Sequence, residues 1–172
     1  MGGYVGLEFA KKYGSLLKGL CLFHSHPYAD TEEKKKGRQK GIEFIRRNGH
    51  IHFVKQLVPN LFTPNYAQNN HLLLAKLVFS ASQMKAENII AGLEVMAGRN
   101  DNTAVLDTIN CPTLFIIGKE DLVVPAYVKE TARPDISSVH ILKNVAHMGM
   151  FEATKKCERI LKDFIKLIDD VE

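Results

Sequence analysis

The apolar positions at the start of the chain predict a helix followed by a strand. Val5, Phe9 and Ala10 recur at helical spacing within residues 1–13, which predicts a helix with one apolar face. The run Leu20–Phe23 is short and uninterrupted, and polar residues follow it. Such a run is typical of a strand that is covered on both faces, as in a parallel sheet.

The next stretch of the chain shows helical periodicity alone. A charged segment begins after Thr31, which is a suitable N-terminal cap, and ends at Asn48. Three further groups of apolar residues at helical spacing occupy residues 53–61, 72–78 and 89–96. Since no strand pattern interrupts them, these residues predict an inserted segment of four helices.

Alternation between strands and helices returns toward the C-terminus. The runs Thr113–Ile117 and Ser138–Leu142 predict two more strands, with a short helix near Pro125 between them. An amphipathic pattern over Phe151–Val171 predicts a closing helix. The apolar stripe of that helix consists of Cys157, Ile160, Leu161, Phe164, Leu167 and Ile168.

The order of these elements predicts an α/β fold. Strands that are separated by helices form a parallel sheet with right-handed crossovers. We therefore expect a parallel sheet of about three strands, flanked by helices and formed by residues 1–29 and 103–172. Residues 30–102 are expected to form a helical cap, inserted between the first and second strands.

The composition excludes several classes of protein. The chain has 172 residues, of which 45% are hydrophobic and 24% charged, as in ordinary globular domains. No apolar run approaches the roughly 20 residues that cross a bilayer, and no secretory signal is evident. We therefore expect a cytoplasmic protein without a membrane partner. The three cysteines are far apart and form neither a zinc pattern nor a disulfide pattern.

The net charge of +4 comes from one segment. Residues 32–47 hold seven Lys or Arg against three Glu. These cations alternate with apolar residues and lack the aromatic pattern of nucleic-acid binders, which favours a solvated helix face and no nucleic-acid partner. A site for a polyanion is the alternative interpretation of the same residues.

Two loops carry ionisable residues directly after predicted strands. Asp121 follows the strand Thr113–Ile117, and His147 follows the strand Ser138–Leu142. Because the carboxyl ends of parallel strands lie at one edge of a sheet, these two side chains can meet there. A carboxylate that accepts the Nδ1 proton of an imidazole orients the ring and stabilises its protonated form. The alternative is a helix-capping Asp and an unrelated loop His.

Three motifs together resemble the cap-bearing α/β-hydrolase family over essentially the whole chain. The stretch Gly118–Pro125 matches the family's G-x-x-D-x-x-x-P motif, which implies that Asp121 is the acid of a catalytic triad. The stretch His147–Glu152 matches the H-x-x-x-x-E pattern and implies that His147 is the base. The opening Met1–Gly3 resembles the residues that follow the nucleophile in a G-H-S-M-G-G elbow.

The resemblance implies an incomplete α/β-hydrolase fold that begins one residue after the nucleophile. The nucleophile would be a serine, or an aspartate as in some members, and none is expected within this chain. The backbone N–H of Met1 corresponds to a donor of the oxyanion hole. The parent enzyme would hydrolyse a small ester or other acyl substrate without a cofactor or metal, and the chain alone would be inactive. The apolar cap residues expected to line its pocket are Phe53, Leu57, Phe62, Leu74 and Met96.

Other residues offer alternative chemistry. Ser25 follows the first strand, but neither a G-x-S-x-G turn nor a helix N-terminus accompanies it, as a nucleophile would require. His24 and His26 lie in the sequence H-S-H-P, which resembles the core of JAMM-type zinc hydrolases. Two His at i and i+2 of an extended segment can share a metal. The S-x-x-D ligand of that family is absent from the residues that follow.

A third hypothesis is a non-catalytic fragment or a self-associating interaction module. The strand Leu20–Phe23 would then be an open apolar edge. Such an edge invites pairing with another chain.

Overall fold

The chain divides into two compact units, Met1–Tyr28 together with Asp101–Glu172, and Ala29–Asn100. The computed structural model describes residues 1–170, and Val171, which was expected to end the closing helix, lies outside the described residues. In chain order the elements are α1 (Gly2–Tyr13), β1 (Leu20–Phe23), α2 (Glu32–Asn48), α3 (His50–Leu57), α4 (Pro64–Asn69), α5 (His71–Ser82), α6 (Ala86–Ala97), α7 (Thr103–Thr108), β2 (Thr113–Gly118), β3 (Ser137–Leu142), α8 (Gly149–Glu152) and α9 (Thr154–Asp169). Short 3₁₀ turns occupy Gly14–Leu16, Pro59–Leu61 and Ala126–Thr131.

Three parallel strands form the sheet of the first unit, in the order β1-β2-β3. Leu20 of β1 pairs with Thr113 of β2, which pairs on its other side with Ser137 of β3. The α/β class and the parallel sheet of three strands are therefore confirmed. The register brings the carboxyl ends of all three strands to one edge, where the loops that follow them lie side by side.

The central strand β2 is buried along its whole length. Phe115 and Ile117 pack in one apolar cluster with residues of α1 and α7, and Leu114 and Ile116 pack in another with residues of α9. Both faces of the strand are covered, which explains why its sequence is continuously apolar instead of alternating. Full burial of such side chains contributes about 1.5–3 kcal/mol each, so β2 anchors the unit.

The apolar face expected for α1 is wrong in part. Ala10 is buried as expected, but Val5 and Phe9 are exposed, and Leu7 takes their place in the core. The inward face also carries Gly3, where a Cβ would lie 2.1 Å from Oγ of Ser25, shortly after β1. The missing side chain at Gly3 allows the helix to approach this segment closely, and a pattern of large apolar residues does not reveal such a face.

The second unit, Ala29–Asn100, is called the helical unit below. It has five α-helices where four were expected. The additional helix is α4, in which the side chain of Thr63 accepts the N–H of Tyr66 and Pro64 lies in the first turn. Proline often follows the end of a helix, but its missing N–H suits it equally to the first turn of a new one. The predicted bounds of α2, from the cap Thr31 to Asn48, are confirmed.

The closing segment is two helices instead of one. Ala153 has φ −141°, which separates α8 from α9. Cys157, Ile160 and Phe164 of the predicted stripe are buried, whereas Leu167 is 51% exposed. The stripe is therefore narrower than the sequence indicated.

A buried ion pair joins the two ends of the helical unit. The side chain of Asp30, near its start, pairs with Nη1 of Arg99, near its end, at 2.7 Å, and also accepts hydrogen bonds from Arg38. Burial alone would raise the pKa of Asp30, but the two guanidinium groups hold that pKa below its usual range. One cation of the charged helix α2 therefore has a structural partner and does not belong to a purely solvated face.

Two of the apolar residues expected to line a substrate pocket pack in a core cluster of the helical unit. Phe53 and Met96 pack against the buried residues of α2 and α6. Phe62 and Leu74 are buried, whereas Leu57 is exposed. Packing within the unit thus accounts for the apolar character of Phe53 and Met96, and a pocket lined by these residues stays a prediction. Across residues 1–170, no helix has the length and hydropathy that a bilayer crossing requires.

Candidate active site

Three strand ends supply the ionisable residues of the candidate site. His24 follows β1, Asp121 follows β2 within three residues of Gly118, and His147 lies in the loop between β3 and α8. Since the three strands are neighbours in a parallel sheet, their side chains converge at the carboxyl edge.

The Asp121 carboxylate is the centre of the site. Its Oδ2 lies 2.9 Å from Nδ1 of His147 and 3.1 Å from Nδ1 of His24. Its Oδ1 accepts the backbone N–H groups of Val123 and Val124, at 2.8 and 3.1 Å. The side chain is fully shielded from solvent. The structure thus brings together the two residues that the sequence paired, Asp121 and His147, and adds a second imidazole.

These donors determine the charge of the carboxylate. Burial would raise the pKa of Asp121, but the hydrogen bonds from His147 and His24, together with the backbone N–H of Val123, hold that pKa well below its usual range. An ionised carboxylate only accepts hydrogen bonds, so both Nδ1 atoms carry a hydrogen. In its neutral form, His147 therefore has its lone pair on Nε2, the atom that a general base needs.

Two glutamates hold the loop that carries His147. Oε2 of Glu152 accepts the backbone N–H of Ala146 at 2.8 Å, and Oε2 of Glu120 accepts that of Val145 at 2.9 Å. The backbone N–H of Glu120 in turn donates to the carbonyl of Val145 at 3.0 Å. The last residue of the H-x-x-x-x-E pattern thus fixes the backbone directly before the base.

Two glycines permit the close approach of these loops. A Cβ on Gly118 would lie 2.1 Å from the carbonyl oxygen of Ala146, and a Cβ on Gly149 would lie 2.3 Å from Nε2 of His24. Neither distance is tolerated between real atoms, so a side chain at either position would displace the loop or the imidazole. Gly118, the first residue of the G-x-x-D-x-x-x-P motif, therefore has a packing role.

The two histidines of the H-S-H-P sequence have different partners. His24 contacts Asp121, whereas Nε2 of His26 lies 3.3 Å from the hydroxyl of Tyr4. Ser25, between them, is buried, and its Oγ lies so close to α1 that a Cβ on Gly3 would be 2.1 Å away. These contacts give each residue a place in packing and do not assemble a zinc pair from His24 and His26.

A group that could hold a metal does exist among the described residues, and it is the site itself. Ligand atoms of His24, Asp121 and His147 all lie within 4.8 Å of one another. Both Nδ1 atoms, however, already face Oδ2 of the carboxylate at hydrogen-bond distance. The contacts present are hydrogen bonds between one carboxylate oxygen and two imidazoles.

Met1 directly precedes α1, and its carbonyl accepts the N–H of Tyr4 at 2.9 Å. Its role as an oxyanion donor stays a prediction.

Two contributors to the site, His24 and Glu120, were not predicted in these roles. The sequence indicated His24 only as half of a metal pair and gave no role to Glu120. The position of His24, directly after the strand that neighbours β2, is the feature of the sequence that places it near Asp121.

Comparison with known proteins finds similar sequences and folds. No family model matches the chain. A proline iminopeptidase of Saccharolobus solfataricus is 28% identical in an alignment of 185 positions, which covers 95% of this chain and 59% of that protein. The structure of a thermophilic esterase from Thermogutta terrifontis superposes with a TM-score of 0.86 at 26% identity, covering 97% of this chain and 62% of the esterase. An α/β hydrolase enzyme from a deep-sea metagenome library of the Medee basin gives a TM-score of 0.82 at 18% identity. This superposition covers 96% of this chain and 62% of that enzyme.

The chain therefore has the fold of the α/β hydrolases, and it is similar in sequence to the esterase and the iminopeptidase at 26–28% identity. It spans about three fifths of the length of these proteins.

The acid stability of this chain should depend on Asp121. Because its native pKa is depressed, the carboxylate stabilises the fold above its unfolded pKa of about 3.9, and this contribution is lost as the pH falls from there toward the native pKa. We expect Asp121→Asn to lower the free energy of unfolding by about 1.5–3 kcal/mol near neutral pH, because the hydrogen bonds to a charged acceptor are lost. The deficit should shrink in acid. Urea unfolding across the acid range measures it, with exposed Asp163→Asn as the control. A deficit that does not change with pH would contradict the assignment.

Packing against His24 should make Gly149 intolerant of a side chain. We expect Gly149→Ala to lower the free energy of unfolding by about 1–3 kcal/mol, because the new methyl overlaps the imidazole. Gly37→Ala is the matched control, since a Cβ there meets nothing within 4 Å, and it should stabilise by about 0.5–1 kcal/mol. Chemical denaturation of both variants measures the difference. Equal stability of the two would show that the close contact is not present in solution.

Proposed function

We propose that Asp121 and His147 are the acid and base of a hydrolase that cleaves carboxylic esters or related acyl bonds. The observation that carries this proposal is the 2.9 Å contact between Oδ2 of Asp121 and Nδ1 of His147, at adjacent strand ends of an α/β-hydrolase fold. The names of two similar proteins, an esterase and an iminopeptidase, support a hydrolytic reaction.

In this mechanism His147 moves the proton. Its Nε2 removes the proton of the attacking hydroxyl and later returns it to the leaving group. The ionised Asp121 stabilises the imidazolium that forms between these steps and keeps the ring oriented through Nδ1. The side chain of His147 is 24% exposed, so solvent and substrate can reach it. This reaction needs no cofactor.

We assign the attacking hydroxyl to a serine that is not among these 172 residues. No serine of the chain lies in a G-x-S-x-G turn, and Ser25 is buried against α1. The resemblance of Met1–Gly3 to the residues after a nucleophile supports this assignment, with the N–H of Met1 as an oxyanion donor. The cap role of the helical unit likewise stays a prediction.

A fluorophosphonate probe tests the proposal on the protein isolated from its source cells. We expect one adduct per chain by intact mass, on a polypeptide longer than 172 residues, and none on the 172-residue chain alone. In the labelled protein, His147→Gln should slow labelling by about a thousandfold or more, whereas exposed His71→Gln should not. An unlabelled native protein, or labelling that survives His147→Gln, would exclude this function.

The second candidate role is self-association through β1. Among the described residues β1 pairs with β2 alone, so its other edge has no partner strand. The N–H groups of Leu20 and His24 donate toward the chain of β2, at 3.0 and 2.8 Å. Alternation along the strand therefore turns the N–H groups of Cys21 and Phe23 toward the open edge, where another strand can bind them.

Sedimentation velocity tests this second role. We expect the mass of the chain to rise with concentration, and Cys21→Pro to suppress the rise, because proline removes an outward N–H without touching the ladder with β2. Thermal unfolding of the variant checks that it remains folded. A chain that stays monomeric at all concentrations would rule out this role.

A further inference from the structure

Two imidazoles share one carboxylate oxygen in this site, and the proposed mechanism uses only one of them. Nδ1 of His24 and Nδ1 of His147 lie 3.1 and 2.9 Å from Oδ2 of Asp121, and their ring centroids are 5.8 Å apart. The two rings thus have nearly equal hydrogen bonds to the same atom. Their surroundings decide which of them can react.

The surroundings of His24 exclude it from contact with a substrate. Its side chain is 2% exposed, against 24% for His147. Its Nε2 is buried against the backbone of Gly149 and has no hydrogen-bond partner among the described residues. His24 therefore presents only Nδ1 to the site, and that atom is bound to Asp121.

The direction of the hydrogen bond between His24 and Asp121 follows from the charge of the carboxylate. Nδ1 of His24 carries a hydrogen because Asp121 is ionised and can only accept. His24 thus acts on Asp121 as a hydrogen-bond donor through Nδ1.

The backbone directs this ring at Asp121 in an uncommon conformation. His24 has φ 46°, in the left-handed region that few residues other than glycine adopt. Its N–H still donates to the carbonyl of Ile116 at 2.8 Å, and the ring of Phe23 packs against its imidazole edge-on. The first residue after β1 is therefore held at the strand end with its side chain turned toward the loop of β2.

We propose that His24 is a positioning residue, whose Nδ1–H fixes the Asp121 carboxylate so that His147 stays hydrogen-bonded through Nδ1 and presents Nε2 for proton transfer. This inference rests on the proposed function of the Asp121–His147 pair. With His24 in place, each carboxylate oxygen has two donors, and rotation of the group would break all four hydrogen bonds. Without His24, Oδ2 depends on His147 alone.

A matched pair of substitutions tests the donor function. His24→Asn keeps an N–H donor near the position of Nδ1 and suits a left-handed backbone, whereas His24→Leu keeps the bulk and removes the donor. The readout is the Nδ1–H proton of His147 in NMR spectra of the chelator-treated 172-residue chain. His147→Gln identifies that signal by its loss. Thermal unfolding shows whether each variant is folded.

We expect the His147 signal to exchange with water at least about tenfold faster in His24→Leu, and to recover in His24→Asn to within about threefold of the native rate. An unchanged signal in folded His24→Leu would overturn the proposal. Equal loss in His24→Leu and His24→Asn would also overturn it, since the donor would then not be the feature that matters. If His24→Leu does not fold, His24→Asn and His24→Gly take its place as the pair with and without a donor.

This readout needs no substrate, so it separates the two proposals. In a protein that hydrolyses esters, His24→Leu should also lower kcat about tenfold or more with KM unchanged, because the variant affects the base and not the binding of substrate. The expected NMR result, together with no hydrolysis by the protein isolated from its source cells, would leave His24 as a positioning residue and reject the hydrolase. Hydrolysis by the native protein, with an unaffected His147 signal in His24→Leu, would support the hydrolase and reject His24 as a positioning residue.

Discussion

The buried charge of Asp121 is the constraint on which the rest of the site depends. A carboxylate that leaves water must find donors inside the protein, since an unpaired buried charge costs far more than one domain can offset. The donors are two imidazoles and two backbone N–H groups, and they come from the ends of all three strands or the turns that follow them. The geometry of the site therefore depends on the register of the sheet, because the register determines where each donor lies. A slip of one strand would remove a donor from a charge that cannot return to solvent.

Much of this arrangement could be predicted from sequence because its signals are local. The continuous apolar run of β2 indicated a strand covered on both faces, and the structure shows a separate core cluster on each face. Asp121 and His147 each follow a strand directly, so topology alone brings them to the same edge. The resemblance of Gly118–Pro125 and His147–Glu152 to motifs of a known family added the proposed roles of acid and base. For these features the residues that decide the structure lie within a few positions of one another.

The parts that sequence did not predict depend on contacts between distant segments. The role of His24 requires Asp121, which is 97 residues away, and the imidazole alone gives no sign of it. The inward face of α1 is defined by Leu7 and by Gly3, which lies close to Ser25, whereas the large residues Val5 and Phe9 are exposed. Hydrophobic periodicity assumes that burial follows side-chain size, and that assumption fails where a helix must lie close to a sheet.

The ion pair between Asp30 and Arg99 has a consequence for how this chain can vary. These residues stand at the two ends of the helical unit, so the points at which the unit leaves and rejoins the remainder of the chain are tied together by its own side chains. Residues between the two ends can then change in number, length or packing without altering the distance that the neighbouring segments must bridge. Such a closed module can be exchanged as a piece, which allows recombination and loop-length drift to act on Ala29–Asn100 while the strand ends retain their register.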